Sequence, residues 1–217
     1  MKNGSDLLVI ESTPLRYILS LPAGRDPKAE AAPLMCFLHG YDEAAPLDIL
    51  QALTRHGPLR AASWLGAVGR YIIVAPQLPR GGDIWHRYAD AVRDIVTEVQ
   101  DAHNGDVQRA YLTGFSYGGN GVFDLALIQQ NLWAALWAVD PTRIPHKDPQ
   151  RPIWLSFGEV SRYQKPGFIR SLDLEPAIEN AEGDRFYLDQ GQDHAGSAAL
   201  AYKDERIYAW LLSKRLH

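Results

Sequence analysis

The sequence predicts an α/β fold: a mostly parallel central sheet of about eight strands, flanked by helices on both faces, in one domain over residues 1–217. Three observations predict it. Leu34–Leu38, Tyr71–Ala75 and Ala110–Thr113 are apolar almost throughout, as strands covered on both faces must be. Runs with helical spacing separate them, so strands alternate with helices and right-handed crossovers follow. Gly and Pro fall between the periodic segments and not inside them.

In chain order, Leu7–Glu11 and Arg16–Leu21 read as two early strands, closed by Pro22-Ala-Gly24. The polar, Pro-bounded stretch Arg25–Pro33 reads as a loop, and strand Leu34–Leu38 follows. Leu47–His56 has a helical pattern. Strand Tyr71–Ala75 precedes a helix over Tyr88–His103, with Ala91, Ile95, Val99 and Ala102 at helical spacing. After strand Ala110–Thr113 comes a helix over Gly119–Gln130, then strands at Ala135–Val139, Ile153–Phe157 and Arg185–Leu188. Tyr202–Leu216 closes the chain as an amphipathic helix with Ile207, Trp210 and Leu211 on one face.

Composition narrows the function classes. Hydrophobic residues make up 46 % and charged residues 22 %, the balance of an ordinary globular protein. The net charge is −4 and the basic residues are scattered, which argues against nucleic acid or an anionic membrane as partner. No apolar run approaches a membrane span, and Leu7–Ile10 is too short for the core of a signal peptide. The single cysteine, Cys36, lies inside an apolar strand, where a buried structural thiol is expected. A cytoplasmic location is the expectation.

The chemistry concentrates in Arg109-Ala-Tyr-Leu-Thr-Gly-Phe-Ser-Tyr-Gly-Gly119. A strand ends at Gly114, Ser116 sits between Gly114 and Gly118, and a helix begins at once. A serine at the apex of so sharp a turn is forced into a strained backbone conformation, so the residues two before and two after it must be small. Its hydroxyl then stands above the sheet edge as a candidate nucleophile. The N–H of Tyr117, at the helix N-terminus, faces any oxyanion that develops.

A serine hydroxyl needs a base. Of seven histidines, His194 is placed for the task, between the last strand and the last helix in Leu188-Asp-Gln-Gly-Gln-Asp-His-Ala-Gly196. His56 and His103 end predicted helices, where an imidazole caps carbonyls. His86 lies in a loop beside Trp85, and His146 and His217 carry no signal. His39 ends the third strand in Leu38-His-Gly-Tyr41, where Gly40 lets the backbone turn and the N–H of Tyr41 becomes a second oxyanion donor.

With those pieces in place, the chain from about Leu34 onward resembles the α/β-hydrolase superfamily. More narrowly, it is similar to compact esterases of the phospholipase/carboxylesterase and dienelactone-hydrolase-like type. The resemblance rests on Phe37-Leu-His-Gly40, Ala75-Pro-Gln-Leu-Pro with Trp85 following, and Tyr111-Leu-Thr-Gly-Phe-Ser-Tyr-Gly-Gly119. It rests also on Asp193-His-Ala and Ile207-Tyr-Ala-Trp-Leu-Leu212. It implies hydrolysis of small-molecule carboxylic esters or related acyl compounds through a Ser–His–acid triad, with no metal and no cofactor.

The third member of that triad is where the sequence departs from the resemblance. Similar proteins carry an Asp a few residues after the glycine that ends the seventh strand. Here Gly158 is followed by Glu159-Val-Ser-Arg-Tyr163, with Ser161 or Arg162 in that place. Glu159, on the right loop, is the first candidate for the acid, and Asp140, ending the sixth strand before Pro141, is the second. Either would hold the imidazole tautomer. A third alternative is that no acid engages His194.

Many hydrolases of this type insert a helical cap after the sixth strand. Here only Asp140–Arg151 intervenes, too short and Pro-rich for a lid, so an open cleft without a cap is expected. Tyr41, Trp85, Tyr117 and Tyr163 are the candidate substrate-binding aromatics at its mouth. Trp133, Trp137 and Trp154 are expected in the core. Besides an esterase, a small peptidase or thioesterase and a catalytically silent binding protein on the same fold are the alternatives.

Overall fold

The computed structural model describes residues 7–22, 30–63, 68–158, 164–179 and 182–216. Among these residues nine strands form one sheet: β1 (Leu7–Ile10), β2 (Tyr17–Ser20), β3 (Ala32–Leu38), β4 (Ile72–Pro76), β5 (Gly105–Phe115), β6 (Ala135–Val139), β7 (Ile153–Phe157), β8 (Glu175–Pro176) and β9 (Arg185–Asp189). Their spatial order is β1-β2-β4-β3-β5-β6-β7-β9-β8. Only β1–β2 and β2–β4 pair antiparallel, and every other neighbour is parallel. All eight expected strands are present. The ninth, β8, is a two-residue edge strand with exposed residues, too short to leave a pattern in the sequence.

Helices α1 (Ile49–Leu53), α2 (Ala89–Ala102), α3 (Tyr117–Ile128), α4 (Lys165–Leu172), α5 (His194–Ala201) and α6 (Glu205–Leu212) cover the two faces. The strands feed two cores by strict alternation. On β3, Leu34, Cys36 and Leu38 enter the core with Val92, Val96, Leu125 and Phe168, from α2, α3 and α4. Met35 and Phe37 enter the opposite core, with Leu53, Ala201, Tyr208 and Leu211 from α1, α5 and α6. A period of two with both faces covered accounts for the continuously apolar strands. Trp133, Trp137 and Trp154 are buried, as expected.

Several elements differ from the sequence reading. α1 keeps only five residues of the predicted ten: Asp48 caps it by accepting from the Gln51 N–H at 2.9 Å, and it ends at Leu53, where the Thr54 N–H donates back to the Leu50 and Ala52 carbonyls. The buried stripe of α2 is Val92, Ile95, Val96 and Val99, with Ala102 exposed. β5 starts at Gly105, five residues early, because its first half is polar and partly exposed. The closing helix, expected over Tyr202–Leu216, is the shorter α6, which starts where Asp204 caps it by accepting from the Arg206 N–H, while α5 before it and α4 after β7 carry no expectation from the sequence. Residues 140–152, between β6 and β7, contain no helix or strand, so nothing folds over the C-terminal ends of the strands from that position. Among the described residues, no helix is long and apolar enough to cross a membrane.

Candidate active site

Ser116 joins β5 directly to α3 at φ 57°, ψ −114°. That conformation is costly for a residue with a side chain, and it persists because its surroundings over-determine it. The Ser116 N–H donates to the Val139 carbonyl at 2.9 Å, and its own carbonyl accepts from the Asn120 N–H. The flanking glycines are a steric necessity. A Cβ on Gly118 would lie 1.9 Å from the Leu38 carbonyl oxygen, and one on Gly114 would lie 2.4 Å from the Gly118 carbonyl oxygen. The first turn of α3 is therefore seated on the end of β3, and the serine hydroxyl is lifted to the sheet edge.

His194 is the first residue of α5, whose N-cap Asp193 accepts from the Gly196 N–H at 2.7 Å. Its Nε2 lies 2.7 Å from Ser116 Oγ and its Nδ1 lies 2.5 Å from Asp140 Oδ2. The ring also packs on Phe115, with centroids 4.6 Å apart. The carboxylate accepts from Nδ1–H, which leaves Nε2 free to accept the serine proton; the tautomer follows from the network.

Asp140 sits at φ 45° with no exposed surface. Its N–H donates to the Ser156 carbonyl at 2.7 Å, and its Oδ1 accepts from the Gly158 N–H at 3.2 Å. Asp140, the second of the two acids that the sequence nominated, meets His194. Glu159 and Tyr163 lie outside the described residues.

The Leu38-His-Gly-Tyr41 segment closes the site from β3. His39 is fully buried, and its Nε2 accepts the Leu78 N–H at 2.9 Å. Nδ1 must then carry the ring proton, and it donates to the Gly40 carbonyl at 2.6 Å. Burial pushes the His39 pKa down to about 4, so the ring stays neutral and able to accept. Because a trans peptide directs its C=O and N–H oppositely, fixing the Gly40 carbonyl also aims the N–H of Tyr41. Gly40 lies against the serine: a Cβ built on it would be 3.7 Å from Ser116 Cβ. Tyr41 begins a 3₁₀ turn over Tyr41–Glu43 and Tyr117 begins α3, so neither N–H has a partner within its own helix.

Beside this constellation runs a cleft of about 370 Å³, lined by His86, Tyr117, Asn120, Asp124, Arg143 and His146 among others. Tyr41 and Tyr117 meet edge to face at 5.6 Å, and Tyr41 is 55 % exposed. Trp85 corrects the sequence reading. It is 1 % exposed, packs on His39 with centroids 5.0 Å apart, and therefore forms the floor of the cleft instead of an open wall. His56 also departs from its expected capping role: it lies 4.8 Å from the Phe115 ring, on the opposite side of the sequence from His194 yet beside the same site.

Two residues here escaped the sequence reading. Asn120 ties α3 to the chain after Asp140, its Oδ1 accepting from the Thr142 and Arg143 N–H groups and its amide donating to Thr142 Oγ1. Glu43 is buried under the Leu38–Tyr41 loop, and its Oε2 accepts the Gly40 N–H at 2.7 Å. The only sequence signal for it is the three-residue spacing from Gly40, that of an N-cap and its third helical residue.

No family model matches the sequence, and no curated protein matches it. Solved structures do. A thermostable esterase superposes with a TM-score of 0.69 at 20 % identity, over 97 % of this chain and 63 % of that one, so the chain spans less than two thirds of its length. A fluorophosphonate-binding serine hydrolase of Staphylococcus aureus, solved with substrate bound, gives 0.68 at 14 % identity, covering 96 % of this chain and 98 % of the other. An S-formylglutathione hydrolase from Agrobacterium tumefaciens gives 0.66 at 12 % identity, covering 97 % and 95 %. The chain has the α/β-hydrolase fold. Within that fold, Ser116 stands at the strand-to-helix elbow after β5, Asp140 at the end of β6 and His194 after β9.

Proposed function

We propose that this α/β-hydrolase-fold chain hydrolyses carboxylic esters of small molecules through an acyl-enzyme formed on Ser116. The observation that carries the reading is the unbroken relay of Ser116 Oγ, His194 and Asp140, with contacts of 2.7 and 2.5 Å. The strained serine backbone and the two helix-initial N–H groups beside it support the same reading.

In the proposed cycle, Ser116 Oγ attacks the ester carbonyl while His194 Nε2 takes the hydroxyl proton. Asp140 holds the ring and stabilises the imidazolium, and the N–H groups of Tyr41 and Tyr117 receive the oxyanion. His194 then protonates the departing alkoxide, and water activated by the same base releases the acid. Neither half of the cycle draws on a cofactor. The cytoplasm is the compartment assigned to it, in keeping with a single buried cysteine and no intramolecular disulfide to form.

The test is labelling with a fluorophosphonate probe, read by intact mass, beside Ser116→Ala. A single adduct on the parent and none on the variant is expected, together with turnover of short acyl esters by the parent alone. Absence of any adduct, or substantial turnover surviving Ser116→Ala, refutes the proposal.

A further inference from the structure

Glu43 is an ionisable group placed where burial is expensive. The residue is 2 % exposed, its Oε2 accepts the Gly40 N–H at 2.7 Å, and among the described residues its Oε1 has no hydrogen-bond partner. A carboxylate that merely caps a turn sits in solvent and loses nothing by ionising. One sealed beneath a loop carries a desolvation cost that a plain cap does not require. The loop it holds is the one that aims the Tyr41 N–H at Ser116. Gly40 is thereby gripped at both ends, its carbonyl by His39 Nδ1 and its N–H by Glu43. Gln77 fixes the other side of the turn by donating to the Glu43 carbonyl at 2.9 Å.

We propose that Glu43 is a positioning residue for the oxyanion donor on Tyr41, acting through the hydrogen bond its carboxyl accepts from the Gly40 amide. For its effect on turnover this rests on the ester-hydrolase reading; for its effect on the loop it does not.

The groups facing Glu43 are Asp42 on its own turn, Arg55 and His56 from the segment after α1, and Tyr202 after α5. His56 Nε2 stands 3.8 Å from Oε1, but burial, helped by Arg55, Arg60 and His194, pushes its pKa down to about 4. It is therefore a neutral neighbour near pH 7 and not an ion-pair partner. Burial pushes the Glu43 pKa up to about 7, against the lowering effect of the Gly40 amide. A neutral carboxyl keeps the Gly40 hydrogen bond without setting a negative charge beside a developing oxyanion, so Gln is the variant that preserves the role and Ala the one that abolishes it.

The experiment pairs two readouts on the full chain. The first is the ¹H–¹⁵N spectrum of parent, Glu43→Gln and Glu43→Ala from about pH 5 to about pH 9, a range spanning the titration of a raised carboxyl. The Gly40 and Tyr41 amides are expected to titrate in the parent, stay fixed with pH in Glu43→Gln, and move from their parental positions in Glu43→Ala. Identical Tyr41 amide behaviour in all three overturns the proposal. Should Glu43→Ala not fold, the parent and Gln spectra decide it alone.

The second readout is steady-state hydrolysis of a short acyl ester. Misplacing a catalytic group by about 1 Å costs about 10²-fold, so kcat of Glu43→Ala is expected to fall by that order with KM near parental. Glu43→Gln should recover most of the loss. A Gln variant no better than Ala, or an Ala variant with parental kcat, overturns the proposal. If the parent itself neither turns over esters nor takes a fluorophosphonate, the ester-hydrolase reading fails, and the amide spectra still decide the role of Glu43.

Discussion

Asp140 reaches His194 because its backbone, at φ 45°, turns the carboxyl off the end of β6 toward the neighbouring β7, where the Gly158 N–H donates to its other oxygen. In sequence this residue looks like an ordinary turn position before Pro141, whereas Glu159 occupies the loop on which similar proteins carry their acid. The two acids make opposite predictions. Asp140→Asn should leave the fold intact and lower kcat by about 10⁴, since the amide favours the wrong imidazole tautomer. Glu159→Gln should stay near the parent. Both are read by steady-state turnover of one acyl ester, with the thermal midpoint as a check on folding. The reverse ranking would remove Asp140 from the proposed mechanism.

At the scale of elements, the site depends on how closely α3 is seated on β3. Gly118→Ala would drive a methyl group into the Leu38 carbonyl oxygen, backbone against backbone, with no flexible side chain to give way. The helix must lift, carrying the Tyr117 N–H with it. The expected loss is about 4 kcal/mol or more, at the upper end for a single substitution, measured by urea denaturation. A loss below about 1 kcal/mol would mean that α3 tolerates displacement. This seat was legible beforehand, because only glycine fits two residues either side of an elbow serine. The helix under His194 was not: His194-Ala-Gly-Ser-Ala-Ala-Leu-Ala201 is too uniformly small to show an apolar stripe, and Gly196 argues against it. The strands were readable from burial on both faces, while α4 opens on Pro166-Gly167, which hide its short apolar stripe of Phe168 and Leu172, and the edge strand β8 is two exposed residues. Histidine and serine could be placed by motif and chain order. Their acid could not, because the link between β6 and α5 spans 54 residues of sequence and exists only in the folded sheet.

Over the whole molecule, three titratable groups around the Leu38–Tyr41 loop, two buried and His56 half-buried, pull stability in opposite directions with pH. His39 and His56 are pushed down to about 4 from an ordinary value of 6.5. Between those limits the unfolded chain binds the protons that the native ring refuses, so stability rises with pH across that window and levels off above 6.5. Glu43 has the opposite sign. It is pushed up to about 7 from 4.5, so the native state holds a proton that the unfolded chain has released, and stability falls as pH rises from 4.5 to 7. Two rising contributions against one falling contribution leave a net rise from pH 4.5 to 6.5. The carboxylates lowered by nearby donors, such as Asp148 beside Arg185 and Asp189 beside Lys165, act below their ordinary 3.8 and so leave this window alone. Glu43→Gln removes only the falling contribution. Its thermal midpoint, followed by circular dichroism across the window, should therefore climb more steeply with pH than the parent's, and the two curves should diverge most near pH 7. Parallel curves would mean that Glu43 titrates in the folded protein as it does in the unfolded chain, and a Glu43→Gln curve flat from pH 4.5 to 6.5 would mean the same of the two histidines.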